Sequence, residues 1–300
     1  MSRLPALRIA VIGAGKIGST FAFQLARAGH AVTVVARPES QRLAQLQAQQ
    51  AIVKTNGERA AVAVRSELDE SMDYDLVLIT VMAHQVDVLI PSLQRSAARR
   101  LLFAFNNFTP QALCEALGAA RCDFGMPLVQ ATLDRAGMLQ SRIGAGGQKT
   151  RLSAQCWVDL FNGAGIPAAL EVSMIRWLRC HVPLCVAFES VSVAAVRRGG
   201  GASWSEAQLV ARGMHEAFAL IVALGDPMYP AGKARLARAP VWVAAAMLWS
   251  VSRIKSFREL LAGGIDECRA LVDTMTAAAR LANPVVEWGN IAAMRPMAIS

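Results

Sequence analysis

The hydrophobic residues of the first hundred positions fall into short continuous runs that are separated by mixed segments. The runs that read as strands are "LRIAVIG" (7–13), "AVTVVAR" (31–37), "DLVLITV" (75–81) and "RLLFAFN" (100–106). Helical patterns follow the first run, from about residue 16 to 28, and the third, near 85–97. Continuous apolar runs that alternate with helices are typical of parallel strands covered on both faces. The pattern therefore predicts a parallel sheet between helices.

The pattern loosens between these runs and the second half of the chain. "KTNGER" (54–59) lies between two apolar runs and predicts a hairpin with Asn56 and Gly57 in its turn. Residues 120–170 read as short strands and turns, and "GAGG" (144–147) is expected at the far edge of the sheet.

Strand patterns end near residue 172, and the remainder is alanine-rich and helical. Breaks are expected at 197–201, 225–233 and 262–264, where glycine and proline cluster. The predicted fold class is α/β, with an N-terminal Rossmann-type doubly wound sheet (residues 1–170) and an all-α C-terminal domain (171–300). A ligand is expected in the cleft between them.

Composition narrows the class of partner. Hydrophobic residues make up 54% of the chain and charged residues 18%, which excludes a disordered protein, while the net charge of +9 favours an anionic partner. The arginines are scattered and aromatic residues are few, which argues against nucleic acid. A phosphorylated cofactor with a small anionic substrate accounts for the charge.

Cysteine usage and the apolar segments bear on location. The six cysteines form no CxxC and match no zinc spacing, so we expect a reducing compartment and no metal site. The N-terminus lacks the long apolar region of a signal peptide, and "PVWVAAAMLWSV" (240–251) is shorter than the roughly 20 residues that span a bilayer. These features predict a cytoplasmic protein that does not enter a membrane.

The clearest motif follows the first strand. "GAGKIG" places Gly13, Gly15 and Gly18 in G-x-G-x-x-G spacing around Ala14, Lys16 and Ile17, directly after a strand and at the start of a helix. In that context the glycines permit a tight turn, approach of a pyrophosphate and contact between helix and strand. The six residues are predicted to bind a dinucleotide; the alternative is a glycine-rich turn without a ligand.

The second strand bears on which dinucleotide binds. An NAD site places Asp or Glu at its end, whereas this strand ends at Arg37. A guanidinium suits a 2′-phosphate, so the prediction is NADPH/NADP+. The alternative is a solvated loop arginine.

Two further strand ends are predicted to face the cofactor. Val81 and Met82 lie at the end of the third run, and Asn106 and Asn107 lie at the end of the fourth. Ligands of open α/β sheets bind at such ends. We expect Val81, Met82 and Asn106 at the cofactor, although asparagines also cap loops.

The order of these features resembles the ketopantoate reductase (2-dehydropantoate 2-reductase) family. The resemblance is carried by "VIGAGKIGS", Arg37, "LVLITVMAHQV" (76–86), "LLFAFNNFTP" (101–110), the helix containing Trp177, and "GIDECRAL" (264–271) before "ANPV" (282–285). It implies a Rossmann domain that binds NADPH, a helical domain that closes over a 2-oxo acid, and reduction to the 2-hydroxy acid. A role in pantothenate biosynthesis is implied by the resemblance alone.

The substrate half matches the family only in part. Asn106 and Ser252 fall on an asparagine and a serine that the family uses to bind substrate. Met82 and Arg179 stand where lysines are expected, Pro183 where an asparagine is expected, and Gly264 where a glutamate is expected. The departures are therefore concentrated in the expected substrate pocket.

Arg179 is the predicted catalytic and carboxylate-binding residue of this divergent site. A guanidinium gives up its proton reluctantly but binds a carboxylate well, so Arg179 would clamp the substrate with Ser252 and Asn106. The proton would come from water, from His181 or from an acidic residue, and Asp266, Glu267 or Glu189 could replace the missing glutamate. Arg176 is expected to be a solvated neighbour.

Two alternatives stay open at this point. The chain could be an NADP(H)-binding protein with impaired catalysis, or an enzyme that reduces an imine or oxidises a hydroxy acid. A homodimer is also compatible with the helical half.

Overall fold

The computed structural model describes residues 5–282 and 286–297, so the part of "ANPV" at 283–285 lies outside the described residues. The chain divides into two compact units. We call residues 1–105 and 111–174 the sheet unit, and residues 106–110 and 175–300 the helical unit. The division falls four residues after the predicted boundary, and the loop at 106–110 belongs to the helical unit although it follows a strand.

The strands all lie in the sheet unit. In the described part of the chain they are β1 (Arg8–Ile12), β2 (Ala31–Val35), β3 (Ala51–Val53), β4 (Arg59–Ala61), β5 (Ala63–Arg65), β6 (Leu76–Ile79), β7 (Leu101–Ala104), β8 (Cys122–Met126), β9 (Val129–Leu133), β10 (Leu139–Ile143), β11 (Thr150–Leu152) and β12 (Ala168–Leu170).

Eight of these strands form the main sheet in the order β12-β11-β8-β7-β6-β1-β2-β5. Six neighbouring strands of this sheet, β8, β7, β6, β1, β2 and β5, run parallel to one another. Strand β1 lies between β2 and β6. Their order is that of a dinucleotide-binding sheet, in which the chain first extends the sheet on one side of β1 and then on the other. The reversal lies between β1 and β6, and ligands bind beyond the carboxyl ends of the strands at such a point. The predicted doubly wound sheet is confirmed.

The strands are buried because helices cover the sheet. The helices of this part of the chain are α1 (Lys16–Arg27), α2 (Gln41–Gln49), α3 (Ile90–Arg95), α4 (Pro110–Leu117) and α5 (Gln155–Gly163). Every residue of β6 and β7 is buried, in agreement with their continuous apolar sequences. The helix expected near 85–97 is shorter, since two short 3₁₀ segments, Ala83–Gln85 and Asp87–Leu89, precede α3.

The structure corrects the prediction for residues 120–170. "GAGG" (144–147) is not the edge of the main sheet: Ala145–Gly147 form a 3₁₀ turn after the separate β9-β10 hairpin. The edge strand is β12, which pairs with β11. Helix α5 was not predicted. By contrast, "KTNGER" does form the turn of the β3-β4 hairpin, with Gly57 at φ 86°.

The helical unit contains the long helix α6 and six later helices in its described residues. They are α6 (Met174–Arg197), α7 (Trp204–Ala223), α8 (Ala231–Arg238), α9 (Val241–Val251), α10 (Lys255–Leu261), α11 (Ile265–Leu281) and α12 (Gly289–Ala293). The breaks expected at 197–201, 225–233 and 262–264 lie at or between helix ends, the second extending into the first turn of α8.

Helix α6 is the longest apolar helix of the described residues. Its length and composition would allow it to cross a bilayer, with a mean hydropathy of 1.3 in its most apolar window, and 61% of that window is buried within the fold. This burial is typical of the core helix of a folded unit. The apolar segment at 240–251 forms only the shorter helix α9.

Candidate cofactor and substrate site

The glycine loop joins β1 to α1 in the sheet unit, and each glycine meets a different constraint. Gly13 has φ 102°, a conformation that favours glycine. A Cβ on Gly18 would lie 2.5 Å from Thr80 Oγ1 and overlap the Gly13 carbonyl oxygen, so Gly18 allows α1 to approach the loop. A Cβ on Gly15 would meet no described atom within 4 Å. The space beside Gly15 is therefore open.

Helix α1 begins directly at this open space. Gly15 is its N-cap, and no side chain caps the helix. The first N–H groups of a helix need acceptors from outside it and carry a partial positive charge. A pyrophosphate would supply both the acceptors and the negative charge.

Thr80, directly after β6, holds the loop from the neighbouring strand. Its hydroxyl lies 2.9 Å from the Gly13 carbonyl oxygen and 3.1 Å from that of Ile12, and donates to these carbonyls. Val81 packs beside Gly13, since a Cβ on that glycine would lie 3.1 Å from Val81 Cγ1. Met82 follows at the start of a 3₁₀ turn and is partly exposed, while His84 is exposed. The structure thus places Val81 beside the loop, whereas the role of Met82, the next residue, stays a prediction.

Arg42 is a contact of the glycine loop that sequence reasoning missed. From the first turn of α2 its guanidinium donates to the Ala14 carbonyl (3.2 Å), to Ser19 Oγ (3.0 Å) and to the Gly137 carbonyl (2.8 Å). Burial lowers the pKa of Arg42 from its ordinary value. Arg42 therefore fastens the loop to α1 and to the β9-β10 turn, and no local sequence pattern announces these distant partners.

Arg37 lies two residues beyond the end of β2 and is exposed. Among the described residues its guanidinium makes no hydrogen bond or ion pair, so the head group is available to a ligand. Glu39, two residues later, is also exposed and has φ 57°. The end of β2 thus offers a cation for a 2′-phosphate and, close in sequence, a carboxylate for a ribose hydroxyl.

The sheet unit fits a dinucleotide on these observations. The open space at Gly15 and the uncapped α1 would hold the pyrophosphate, Ala14, Lys16 and Ile17 lie in the same turn, and Arg37 would meet the adenosine ribose. Asn106, the remaining predicted cofactor contact, belongs to the helical unit.

In the helical unit, Arg179 is held by two acceptors. Its Nε donates to the Phe108 carbonyl oxygen at 3.2 Å, and its Nη1 forms a close ion pair with Asp226. Arg176 lies one turn earlier, with its Nε 3.7 Å from the other oxygen of Asp226. Arg176 is thus not simply solvated, because it shares Asp226 with Arg179. Two guanidinium groups thus lie beside one carboxylate.

His181 lies on the same helix and pairs with a cysteine. Its Nε2 is 3.0 Å from Cys185 Sγ, and its ring stacks on Trp177 with centroids 4.4 Å apart. Burial, with the nearby charge of Lys233, lowers the pKa of His181 to about 3. Burial, with the charges of acidic neighbours, raises the pKa of Cys185 well above its ordinary value. Both groups are therefore neutral near pH 7, and His181 is not a ready imidazolium donor.

A group of acidic and amide side chains gathers around Gly264. The buried Asn106 donates from Nδ2 to Glu267 Oε1 at 3.3 Å, and its Oδ1 has no hydrogen-bond partner among the described residues. The buried Glu189 reaches Gly264, on which a Cβ would lie 3.3 Å from Glu189 Oε1. Asp266 is exposed and near Arg269 instead. Two of the three acids considered for the missing glutamate thus lie near Gly264.

Asn107 and Ser252 are occupied by the fold. Asn107 Oδ1 accepts from the Thr109 backbone N–H at 2.9 Å, which is a local loop bond. Ser252 is fully buried after α9, where its Oγ donates to the Trp249 carbonyl (2.7 Å) and accepts from the Ala202 N–H (3.1 Å). A substrate carboxylate could use Ser252 only if the bond to Trp249 were broken. The structure does not bring Ser252 into hydrogen-bond contact with Arg179 or Asn106, and its role stays a prediction.

Comparisons with known proteins agree with the glycine loop and the sheet order. Residues 9–148 match the family model described as ketopantoate reductase PanE/ApbA. The 2-dehydropantoate 2-reductase of Vibrio cholerae is 31% identical over 192 residues, 59% of this chain and 60% of that protein. The Bacillus subtilis enzyme of the same name is 31% identical over 100 residues, 33% of each protein. The alignments thus span less than two thirds of both relatives.

Solved structures resemble the chain over nearly its whole length. A PanE/ApbA family ketopantoate reductase from Ralstonia eutropha has a TM-score of 0.72 at 18% identity, covering 96% of this chain and 95% of that one. A D-mandelate dehydrogenase in complex with NADH has a TM-score of 0.71 at 13% identity, covering 96% of both chains. At these identities the likeness shows the fold alone. The match at residues 9–148 places a ketopantoate reductase PanE/ApbA family domain in that part of the chain.

Proposed function

We propose that the protein is an NADPH-dependent oxidoreductase that reduces a 2-oxo acid or a related carbonyl compound to the 2-hydroxy acid. The observation that carries this proposal is the open space at Gly15 before the uncapped α1, at the strand reversal of a PanE/ApbA domain. The bound cofactor would supply a hydride. The protein would hold the pyrophosphate with backbone N–H groups and orient the cofactor for transfer.

The choice of NADPH rests on Arg37. An exposed guanidinium without a described partner can form charge-assisted bonds with a 2′-phosphate. The neighbouring Glu39 supports the opposing interpretation, NADH, because a carboxylate can bind the ribose hydroxyl. The D-mandelate dehydrogenase of similar fold was solved with NADH.

The test measures the dissociation constants of NADPH and NADH for the wild type, Arg37→Ala and Glu39→Gln. We expect the wild type to prefer NADPH at least about tenfold, or about 1.4 kcal/mol, and Arg37→Ala to lose most of that preference. Glu39→Gln is the matched control and should retain it. Equal binding of both cofactors, unchanged in Arg37→Ala, would contradict the choice.

The substrate class rests on Arg179 and Arg176. Both guanidinium groups lie beside Asp226, and a guanidinium group suits a small carboxylate. Arg179 would bind the substrate carboxylate, and Asn106, whose buried Oδ1 has no described partner, would orient a substrate or cofactor hydroxyl. An anion at Arg179 would compete with Asp226 for the guanidinium.

The matching experiment follows NADPH oxidation with a panel of 2-oxo acids that includes ketopantoate and phenylglyoxylate, the oxo acid corresponding to mandelate. Turnover of a 2-oxo acid, reduced at least tenfold in Arg179→Ala, is the expected result. Absence of turnover with every member would favour the alternatives of an impaired NADP(H)-binding protein or of an imine or hydroxy acid substrate.

We also infer a reducing, cytoplasmic location. All six cysteines are free, and three of them are buried.

A further inference from the structure

Glu189 is a buried acid on helix α6 whose position local packing does not explain. Only 8% of the residue is exposed, and it forms no ion pair with the described residues. Its Oε2 is buried without a hydrogen-bond partner in the described part of the chain. A buried carboxylate without a compensating cation is costly, so the group is expected to be neutral or to serve a ligand.

The carboxyl group faces the place where Gly264 lacks a side chain. The three atoms nearest to a Cβ on Gly264 would all belong to Glu189, with Oε1 at 3.3 Å and the carboxyl carbon at 3.4 Å. Gly264 is itself partly exposed, so the Oε1 edge of Glu189 lies against a partly exposed position. A larger residue at position 264 would place its Cβ against this carboxyl group.

The ionisable groups around Glu189 come from two helices. Cys185 lies one turn earlier on α6, and Glu267 and Cys268 lie on α11. Burial, together with the negative charge of Glu267, raises the pKa of Glu189 well above its ordinary value. Both cysteines are neutral near pH 7, because burial raises the pKa of each. Glu189 therefore retains its proton where an exposed glutamate would have lost it.

The same cluster contains Asn106, a predicted contact of cofactor and substrate. Asn106 donates to Glu267, and Glu267 interacts electrostatically with Glu189. A protonated carboxyl, an acceptor carboxyl and an amide whose oxygen has no partner in the described part of the chain are thus gathered beside Gly264. The other donors considered from the sequence are less suitable, since a guanidinium gives up its proton reluctantly and His181 is neutral.

We propose that Glu189 is the proton donor of the reductive reaction, reaching the substrate oxygen past Gly264. This proposal rests on the proposed function. As the carbonyl carbon receives a hydride from NADPH, the C=O π electrons move to oxygen, and the Glu189 O–H bond breaks while the hydroxyl O–H bond of the product forms. NADPH is oxidised to NADP+, the carbonyl is reduced, and the Glu189 carboxylate regains a proton from solvent before the next turnover.

The test compares the wild type with Glu189→Gln, Glu189→Asp and the control Glu259→Gln. The amide has the shape of the neutral acid but cannot give up a proton, so Glu189→Gln should fold and bind NADPH as the wild type does. Its kcat should fall at least about 100-fold, the usual contribution of a general acid, with a smaller change in KM. Glu189→Asp retains the acid and should lose less. Glu259, an exposed residue of α10 near Lys255, should tolerate the change.

Two readouts separate catalysis from structure. The wild-type kcat should fall as pH rises through the pKa of Glu189, and this limb should be absent in Glu189→Gln. The infrared spectrum of the wild type at neutral pH should contain a protonated-carboxyl band that Glu189→Gln lacks. Wild-type turnover with undiminished kcat in Glu189→Gln, or absence of the band, would overturn this proposal alone. No wild-type turnover of any 2-oxo acid would instead overturn the proposed function.

Discussion

Alanine at Gly15 and at Gly18 should separate ligand space from packing space within one loop. At Gly18 the added Cβ would lie 2.5 Å from Thr80 Oγ1 and overlap the Gly13 carbonyl oxygen, which is backbone and cannot rotate away. Overpacking of this kind costs about 1–3 kcal/mol. For a unit of this size we expect a lower melting temperature by about 2–4 °C for each kcal/mol lost. At Gly15 the Cβ meets no described atom, so stability should change by less than about 1 kcal/mol.

At Gly15 we expect the substitution to change cofactor affinity rather than stability. Gly15→Ala fills the space assigned to the pyrophosphate, so its dissociation constant for NADPH should rise at least about tenfold, or about 1.4 kcal/mol, at near wild-type stability. The assays are thermal unfolding without ligand and NADPH titration by fluorescence. Wild-type affinity in Gly15→Ala would mean that the pyrophosphate does not pass this residue. Wild-type stability in Gly18→Ala would refute the close contact between α1 and the loop.

Two more predictions concern Arg42 and His181. Arg42→Met removes three hydrogen bonds, to the glycine loop at Ala14, to Ser19 on α1 and to Gly137 in the β9-β10 turn. It should lower the free energy of unfolding by about 1–3 kcal/mol and weaken NADPH binding. Arg65→Met, at an exposed strand position, should do neither in the same unfolding and titration experiments. The pKa of His181 is about 3 in the folded chain and 6.5 in the unfolded chain. Between these values the unfolded chain binds one more proton than the folded chain, so the free energy of unfolding should fall as pH drops from about 6.5 toward 3. His181→Leu should flatten this dependence in denaturant unfolding at several pH values, and an unchanged slope would show that His181 is not the group responsible.

The features predictable from sequence were those with a local cause. The glycine spacing after a strand located the loop, because φ 102° at Gly13 and the contact at Gly18 are requirements that few other residues meet. Arg42 and Asp226 were not found, since their partners lie far along the chain. "GAGG" correctly indicated a turn, but it did not show which sheet the adjacent strands belong to. Glycine favours certain backbone conformations and does not specify strand pairing. Helix α5 was missed because it has only nine residues and lies between two three-residue strands.

Two residues of the substrate half, Arg179 and Gly264, differ from those that the family resemblance implies, and each contacts an acidic side chain in the structure. Arg179, in place of a lysine, is held by Asp226, and Gly264, in place of a glutamate, is filled by the carboxyl of Glu189.

The stability of the fold should depend on pH through Glu189. The pKa of Glu189 is raised in the folded chain, so its full contribution to stability is present at pH values below its ordinary pKa. This contribution is lost as pH rises through the folded-state pKa. Glu189→Gln should therefore be at least as stable as the wild type at neutral and alkaline pH. A residue that costs stability and whose removal also costs turnover is better explained by chemistry than by packing. A gain in stability combined with a loss of turnover in Glu189→Gln would therefore favour a substrate site with rearranged groups over one that has lost its function.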